Sequence, residues 1–267
     1  MGDAVVKRYL RLLRIFWSNA FATELEYRVN FWSNALLSLF WLGWAAAGIG
    51  VYFQFTDSVR GWTYPEMLVV LGFFFAINGL RQALISPNLA RLSEYVRLGT
   101  LDFLLTKPVN SQFMVSFRYV GVYNWFDPLL GFVLAGVGLR LSGRSLTLSG
   151  LLGGVLLMLC AVVLLYALAL VLMGGGIRWV SSEGLEDVIQ GIVETARLPV
   201  QMYRGVVQTA LTVVLPVAFF TTFPAEALLG RGDPVVLIVA PLVAVAAVAL
   251  GSFVWRRSLR GYTGASA

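Results

Sequence analysis

The 267-residue chain contains no histidine and a single cysteine, Cys160. Without histidine it has no Ser-His or Cys-His nucleophilic pair, no histidine zinc motif and no histidine proton relay. A lone cysteine excludes disulfide bonds within the chain and cysteine metal clusters. The sequence also lacks a Gly-x-x-x-x-Gly-Lys-Ser/Thr segment, the usual loop that holds ATP phosphates. We therefore predict no catalytic, cofactor or metal site.

Charged residues are scarce as well. They make up 13% of the chain, against about 25% in a soluble domain, whereas 58% of the residues are apolar. This composition predicts an all-α integral membrane protein. No arginine-rich patch interleaved with aromatic residues indicates a nucleic-acid surface. The N-terminus has basic residues but no apolar core followed by a small-residue cleavage site, so no signal peptide is predicted.

Six apolar stretches are each close to the ~20 residues that a helix needs to cross a bilayer. With the N-terminus inside, sixteen of the twenty Lys and Arg residues fall on the cytoplasmic side of this layout and four on the outer side. The positive-inside rule then favours six spans with both termini in the cytoplasm. The predicted spans are residues 31–53, 66–86, 113–139, 148–173, 206–223 and 235–255.

Residues 5–18 predict an amphipathic helix that lies on the membrane surface. Basic residues and apolar residues occupy opposite sides of it at helical spacing, as in helices that bind an anionic leaflet. The apolar stripe consists of Val5, Val6, Tyr9, Leu10, Leu13, Phe16 and Trp17, and the basic side of Lys7, Arg8, Arg11 and Arg14.

The stretch 88–107 carries much of the water-facing charge of the chain, between the second and third predicted spans. Its first half has the spacing of a short amphipathic helix. Spacing alone leaves two interpretations equally open, a helix that contacts a soluble partner and a solvated loop. The apolar side would hold Leu89, Leu92, Val96 and Leu98, and the charged side Arg91, Glu94 and Arg97.

The second half of this stretch predicts the end of one helix and the beginning of another. Gly99 is expected to end the first helix. Thr100 can cap a second short helical turn, in which Asp102 places negative charge where the helix dipole favours it. Pro108 is expected to close the unit.

Two segments of the chain resemble one family. Residues 94–109, Glu-Tyr-Val-Arg-Leu-Gly-Thr-Leu-Asp-Phe-Leu-Leu-Thr-Lys-Pro-Val, resemble the loop between the second and third spans of ABC-2 type transporter permeases. The likeness is strongest to a bacterial subfamily whose permease and ATPase are separate chains. Residues 215–230, Leu-Pro-Val-Ala-Phe-Phe-Thr-Thr-Phe-Pro-Ala-Glu-Ala-Leu-Leu-Gly, are similar to the pattern of this subfamily at the outer end of the fifth span.

This resemblance implies a type V exporter-like architecture in which the 88–107 unit is the coupling helix. The implied partners are two copies of an ABC ATPase, which would bind the ATP, and a second permease, a sister chain or otherwise a second copy. The 5–18 helix would lie beside the ATPase or only anchor the N-terminus. The implied residues for coupling are Glu94, Arg97, Gly99, Thr100, Asp102, Lys107 and Pro108.

The resemblance further implies a bacterial inner-membrane protein, and the apolar spans favour an amphipathic or lipid-like substrate that is exported. A passive channel or membrane scaffold is the main alternative. It differs from a permease in that it would need no ATPase. An intramembrane enzyme is a third class, but it would need facing reactive groups, and Asp127 is the only acid deep in a span.

Several residues inside the spans break the apolar pattern. Asp127 and Pro128 interrupt the third span, either as a functional carboxylate or as a cap and start of a new half-helix. Arg81, in the second span, is expected to reach the cytoplasmic headgroups by snorkelling. Pro216 and Pro224 mark possible breaks late in the chain.

Two further segments are predicted near the fifth span. Residues 219–229 stay apolar and are expected to form a short re-entrant hairpin that turns at Pro224 and caps the outer end of the pathway. Residues 185–197 have the stripe of a cytoplasmic surface helix, capped by Ser181 or Ser182. That helix would be a second contact with the ATPase or a membrane-surface elbow.

Overall fold

The computed structural model describes residues 2–26, 28–179 and 184–261, and it is 82% helical. No β-strand occurs in these three ranges, so the predicted all-α membrane fold is confirmed. Short 3₁₀ or π-helical turns connect several of the helices. The α-helices are α1 (Gly2–Glu26), α2 (Arg28–Phe53), α3 (Tyr64–Leu84), α4 (Ser86–Arg97), α5 (Leu101–Leu105), α6 (Ser111–Phe117), α7 (Phe126–Leu141), α8 (Leu148–Trp179), α9 (Leu185–Glu194), α10 (Gly205–Thr209), α11 (Thr222–Leu228) and α12 (Pro234–Arg260).

Five helices in the described ranges are long and apolar enough to cross a membrane, and a bent pair brings the number to six. The bent pair consists of Gly205–Val214 and Val217–Leu228, which meet at 69°. This agrees with the predicted six-span architecture. The long spans lie in α2, in α3 with α4, in α7 with the turn before it, in α8 and in α12.

The spans form a bundle with two distinct ends. Helices α3 and α7 run antiparallel, whereas α8 and α12 run parallel, with Gly153 near Leu237 and Gly174 near Val254. We call the end that carries α4 and α5 the α4 end. The opposite end, which carries α11 and the loops that precede α3, α8 and α12, is the hairpin end.

Helices α3 and α7 pack closely against each other, and glycine makes this possible. A Cβ atom on Gly72 would lie 2.4 Å from the carbonyl oxygen of Gly131 and 2.6 Å from the backbone nitrogen of Ala135. Gly131 is equally close to Gly72 in return. Small residues let two helix backbones approach closely, which is how helices pack in lipid. The buried core therefore centres on α3, whose residues 67–71 are almost fully buried.

The third predicted span is broken rather than continuous. Helix α6 ends at Phe117, residues 118–121 are not helical, and a 3₁₀ turn, Val122–Trp125, leads into α7. Pro128 explains where α7 begins, because it has no N–H to donate to the carbonyl of residue 124. Asp127 consequently lies in the first turn of α7, while Trp125 occupies the cap position.

The late hairpin also differs from its prediction. The sharp bend lies at Leu215–Pro216, and α11 runs straight through Pro224 instead of turning there. Pro224 occupies the first turn of α11, where a backbone N–H has no partner within the helix, so proline is tolerated. Before the bend, residues 210–214 form a π-helical turn that ends with Leu215 N–H donating to the Ala210 carbonyl at 2.9 Å.

We expect Gly72→Ala to destabilise the bundle, because its Cβ would meet backbone atoms that cannot move aside. Overpacking in a core costs about 1–3 kcal/mol, and this site should lie at the upper end. The matched control is Gly136→Ala in α7, where a Cβ meets nothing within 4 Å. The apparent thermal midpoint of each purified variant, followed by tryptophan fluorescence, is the measurement. Equal midpoints for the two variants would contradict the close crossing.

Candidate functional site

Helix α4 ends at Arg97, and Gly99 follows its C-terminal cap residue, Leu98. Gly99 has a φ of +66°, its N–H donates to the Val96 carbonyl at 3.2 Å, and the Thr100 N–H donates to the Tyr95 carbonyl at 2.9 Å. This pair of hydrogen bonds is the Schellman motif, which favours glycine at the left-handed position. The predicted stop at Gly99 coincides with it. We call residues 86–107 the α4–α5 unit.

The start of α5 differs in detail from the prediction. Thr100 occupies the cap position, but its side chain makes no cap hydrogen bond, because its backbone is not in the extended conformation that aims the hydroxyl at the helix. Asp102 does lie in the first turn. The position therefore retains the favourable dipole interaction but not the predicted side-chain cap.

The outward surface of the α4–α5 unit combines cations with large apolar side chains. Leu98, which was placed on the buried side, is 56% exposed because the helix ends there, and Phe103 is 74% exposed. Arg97 and Lys107 are exposed beside them. We call these four residues the apex. Glu94 forms an ion pair with Arg91 one turn earlier, at 2.6 Å.

Polar side chains that were not among the predicted site residues fix the α4–α5 unit to the bundle. Asn88 is 2% exposed and donates to the Leu84 and Tyr119 carbonyls at 2.9 and 2.7 Å. Its side-chain oxygen accepts from the Tyr119 N–H at 3.0 Å. The hydroxyls of Tyr95 and Tyr119 are 2.7 Å apart. The sequence signal for this attachment was an asparagine, Asn88, on the otherwise apolar face of the predicted helix.

Helix α1 holds the end of the unit. The Asn110 N–H donates to the Tyr9 hydroxyl at 3.2 Å, and the Tyr9 ring meets Phe113 edge-on with centroids 4.7 Å apart. The Arg8 guanidinium donates to the Pro108 carbonyl. Helix α1 therefore packs on the protein through its aromatic edge, whereas Val5 and Val6 of the predicted stripe stay exposed.

Arg81 does not snorkel as predicted. It is 3% exposed and forms an ion pair with Glu186 of α9. Its other donors reach the Asn78 side-chain oxygen at 3.0 and 3.2 Å and the Ser86 hydroxyl at 2.9 Å. The Ser86 hydroxyl donates in turn to Glu186 at 2.7 Å. One cluster, in which Arg81 is buried and Glu186 is 33% exposed, therefore joins α3, α4 and α9, and it satisfies Arg81 without any contact with headgroups.

Helix α9 is amphipathic, as predicted for residues 185–197, but it ends at Glu194, and its polar side, with Asp187, Gln190 and Glu194, is exposed. Ile189, Val193 and Ala196 of its apolar side are buried in the bundle, whereas Val188 is 49% exposed. The chain continues from α9 through residues 195–202, and Arg197 stands over the ring of Phe74, halfway along α3, at 5.7 Å. We call residues 185–202 the inserted segment. Ser181 and Ser182, the predicted caps, lie outside the described residues, and Gly184 occupies the cap position instead.

The inserted segment is hydrogen-bonded to α11. The Thr221 hydroxyl donates to the Ala196 carbonyl at 2.7 Å, and the Thr222 hydroxyl accepts from the Val200 N–H at 3.0 Å. The Gln201 amide donates to Glu226 at 2.8 Å. The segment thus connects the α4 end, through Glu186, with the re-entrant helix at the hairpin end.

A cavity of about 730 Å³ lies between α2, the first turn of α3 and the inserted segment. One side of it is the aromatic face of α2, and the other includes Arg197. None of the predicted site residues borders this cavity. It is lined by Trp41, Trp44, Ala45, Gly48, Ile49, Tyr52, Phe53, Val59, Met67, Arg197, Leu198 and Met202.

The hairpin end is closed by charges around Glu66, which is buried. Its carboxylate accepts from Arg144 and Arg231 at 3.2 Å each and from the Thr63 N–H at 3.1 Å. Arg231 also stacks on Trp62, with its guanidinium carbon 3.8 Å from the ring centre. This cluster ties the loops before α3, α8 and α12 together.

The predicted site residues do not form one site. Those of the 88–107 stretch lie together in the α4–α5 unit and at its end. Asp127 and Pro128 lie against Gly79 of α3, and the Asp127 carboxylate faces the Ser38 hydroxyl of α2. Pro216 and Pro224 flank the beginning of α11.

The family model of ABC-2 family transporter proteins matches residues 39–266 of the chain. No curated protein and no solved structure matches the chain. The matched range covers α3 to α12 and the greater part of α2, and therefore includes the α4–α5 unit, the inserted segment and the cavity.

We expect Arg81→Met to lower the stability of the protein by about 2 kcal/mol, because Asn78, Ser86 and Glu186 would lose a charged hydrogen-bond donor. The double variant Arg81→Met/Glu186→Gln should recover part of this loss. The control is Arg91→Met, which removes an exposed pair and should change stability by less than about 1 kcal/mol. Thermal midpoints of the purified variants measure all three. A similar loss in Arg81→Met and Arg91→Met would rule out a structural role for the buried cluster.

Proposed function

Since the chain belongs to the ABC-2 family of transporter proteins, we propose that it is the permease of an ATP-driven exporter and works with a separate ATPase chain. Proteins of this family are multi-pass transport subunits of the membrane. The missing phosphate-binding loop agrees with ATP being hydrolysed on another chain. The observation that carries the proposal is the α4–α5 unit, which presents an apolar and basic apex while its other side is bonded into the bundle.

The apex is the proposed contact with the ATPase. Exposed apolar side chains rimmed by charge are typical of protein interaction sites. Phe103 and Leu98 would enter a groove of the partner, and Arg97 and Lys107 would pair with acidic residues around it. Helix α1, which is bonded to Pro108 and Asn110, supports the base of this contact.

A push on the apex would reach the cavity through the buried cluster. Asn88 and Tyr95 make the α4–α5 unit rigid, and Ser86 and Arg81 pass its displacement to Glu186. The inserted segment would then move against α2 and carry α11 with it. ATP can drive this change only by binding one arrangement of the complex more tightly than the other.

In this proposal the α4 end faces the cytoplasm of a bacterial cell and both termini lie inside. The predominance of Lys and Arg on that side supports the orientation. Two permeases, this chain with a sister chain or with a second copy, would act with two ATPase chains. The exported substrate would be amphipathic, in agreement with the aromatic lining of the cavity.

We expect Phe103→Asp to abolish ATPase binding without unfolding the permease, because it replaces an exposed apolar side chain at the apex. The test is purification of the tagged chain from its native membranes in mild detergent, identification of any bound chain with a phosphate-binding loop, and assay of ATP hydrolysis. Arg97→Glu and Lys107→Glu should weaken the same contact, because each would place a negative charge opposite the acidic residues proposed for the partner.

The matched control is Phe55→Asp, which changes an equally exposed phenylalanine at the hairpin end. It should retain the ATPase. If wild-type protein and Phe103→Asp recover the same amount of ATPase, the apex is not the contact. If wild-type protein brings down no ATPase in several detergents, the permease proposal fails, and a channel or scaffold takes its place.

A further inference from the structure

The cavity beside α2 contains a cation without an anion. The Arg197 guanidinium forms no ion pair and no hydrogen bond with any residue that the structure describes, and its one recorded contact is the face of Phe74. Arg204, two residues beyond the inserted segment, also lacks an ion pair with any described residue, but it does not border the cavity, whereas Arg197 does. Charged residues at membrane depth line pathways or bind a partner of opposite charge.

The wall opposite Arg197 is aromatic. Trp41, Trp44 and Tyr52 fall on one face of α2 at helical spacing, and all three point away from the packed core. Together with Ile49 and Met67 they form an apolar surface long enough for an alkyl chain. The volume of about 730 Å³ lies within the range of sites that enclose a small ligand.

We propose that this cavity binds a single-chain amphiphile whose anionic head group pairs with Arg197 and whose alkyl chain lies along the aromatic face of α2. A carboxylate or phosphate can accept two hydrogen bonds from the guanidinium, and this pairing neutralises the charge. The alkyl chain packs against the tryptophan rings. The inference rests on the proposed transport function and specifies the substrate class.

The position of the cavity would also let the proposed transport cycle change its affinity for the amphiphile. Arg197 and Leu198 belong to the inserted segment, which is bonded to the α4–α5 unit at Glu186 and to α11 at Ala196. Any displacement of that segment moves the cation relative to the aromatic face. Head group and chain would then be held together in one arrangement and separated in the other, which is the differential affinity that transport requires.

The test uses the purified chain in phosphatidylcholine nanodiscs, with bromoundecanoate as the probe. Its bromine quenches tryptophan fluorescence at short range, and Trp41 and Trp44 line the cavity. We expect a saturable quench with wild-type protein that weakens about tenfold or more in Arg197→Gln, as loss of a charge-assisted hydrogen bond implies. Arg197→Lys should lose less, because it keeps the charge.

Arg204→Gln is the matched control. Arg204 is an exposed arginine a few residues further along the chain and does not border the cavity, so this variant should bind like wild type. Bromoundecanol, which lacks the anionic head, should quench wild type and Arg197→Gln alike. In Trp41→Phe/Trp44→Phe the saturable quench should disappear while non-specific partitioning into the bilayer persists.

Equal binding of bromoundecanoate to wild type and Arg197→Gln would overturn the proposal, as would equal affinity for the acid and the alcohol. Displacement of the acid by an equal amount of phosphatidylglycerol would assign the cavity to a bilayer lipid instead. The measurement needs no ATPase. Binding without a recoverable ATPase would therefore refute the transport proposal alone, and an ATPase complex without binding would refute this site alone.

Discussion

The buried ion pair between Arg81 and Glu186 is the interaction on which the arrangement of the other elements depends. A guanidinium inside a span has no water to solvate it, so its donors must be satisfied by protein. Asn78 supplies one acceptor from the same helix, but Ser86 and Glu186 come from α4 and α9. Because these acceptors sit on different elements, satisfying Arg81 fixes α4 and α9 relative to α3.

The same requirement explains why irregular backbone is tolerated in the interior of this bundle. At the break before α7, the Gly121 N–H donates to the Ala83 carbonyl at 2.8 Å and the Asn124 amide to the Gln82 carbonyl at 3.1 Å. Near the bend before α11, Thr221 and Thr222 bond to the inserted segment. Non-helical backbone at membrane depth persists only where protein groups pair with it. Each break in a helix is therefore also a place where two elements are hydrogen-bonded to each other.

The two ends of the bundle have opposite character, and this shapes the proposed cycle. At the hairpin end, Glu66 holds Arg144 and Arg231, so the loops form one closed unit. At the α4 end, Phe103 and Leu98 of the apex are largely exposed. The cavity and its single cation lie between them. The inserted segment is hydrogen-bonded at both ends, to Ser86 of the α4 end and to α11 of the hairpin end, which makes it one route between them.

The sequence by itself determined the membrane class, the helical fold, the six-span architecture and the family resemblance, because these follow from composition, the length of apolar runs and local motifs such as the stop at Gly99. Only the tertiary structure decided where residues 185–202 pack, that Arg81 is buried and where Arg197 lies. The stripe of α9 is the same whether it faces headgroups or α4 and α8, since periodicity records which side is apolar and not what covers it. Likewise, an arginine near a span end can snorkel or pair, and the choice depends on whether a carboxylate more than a hundred residues away is brought beside it.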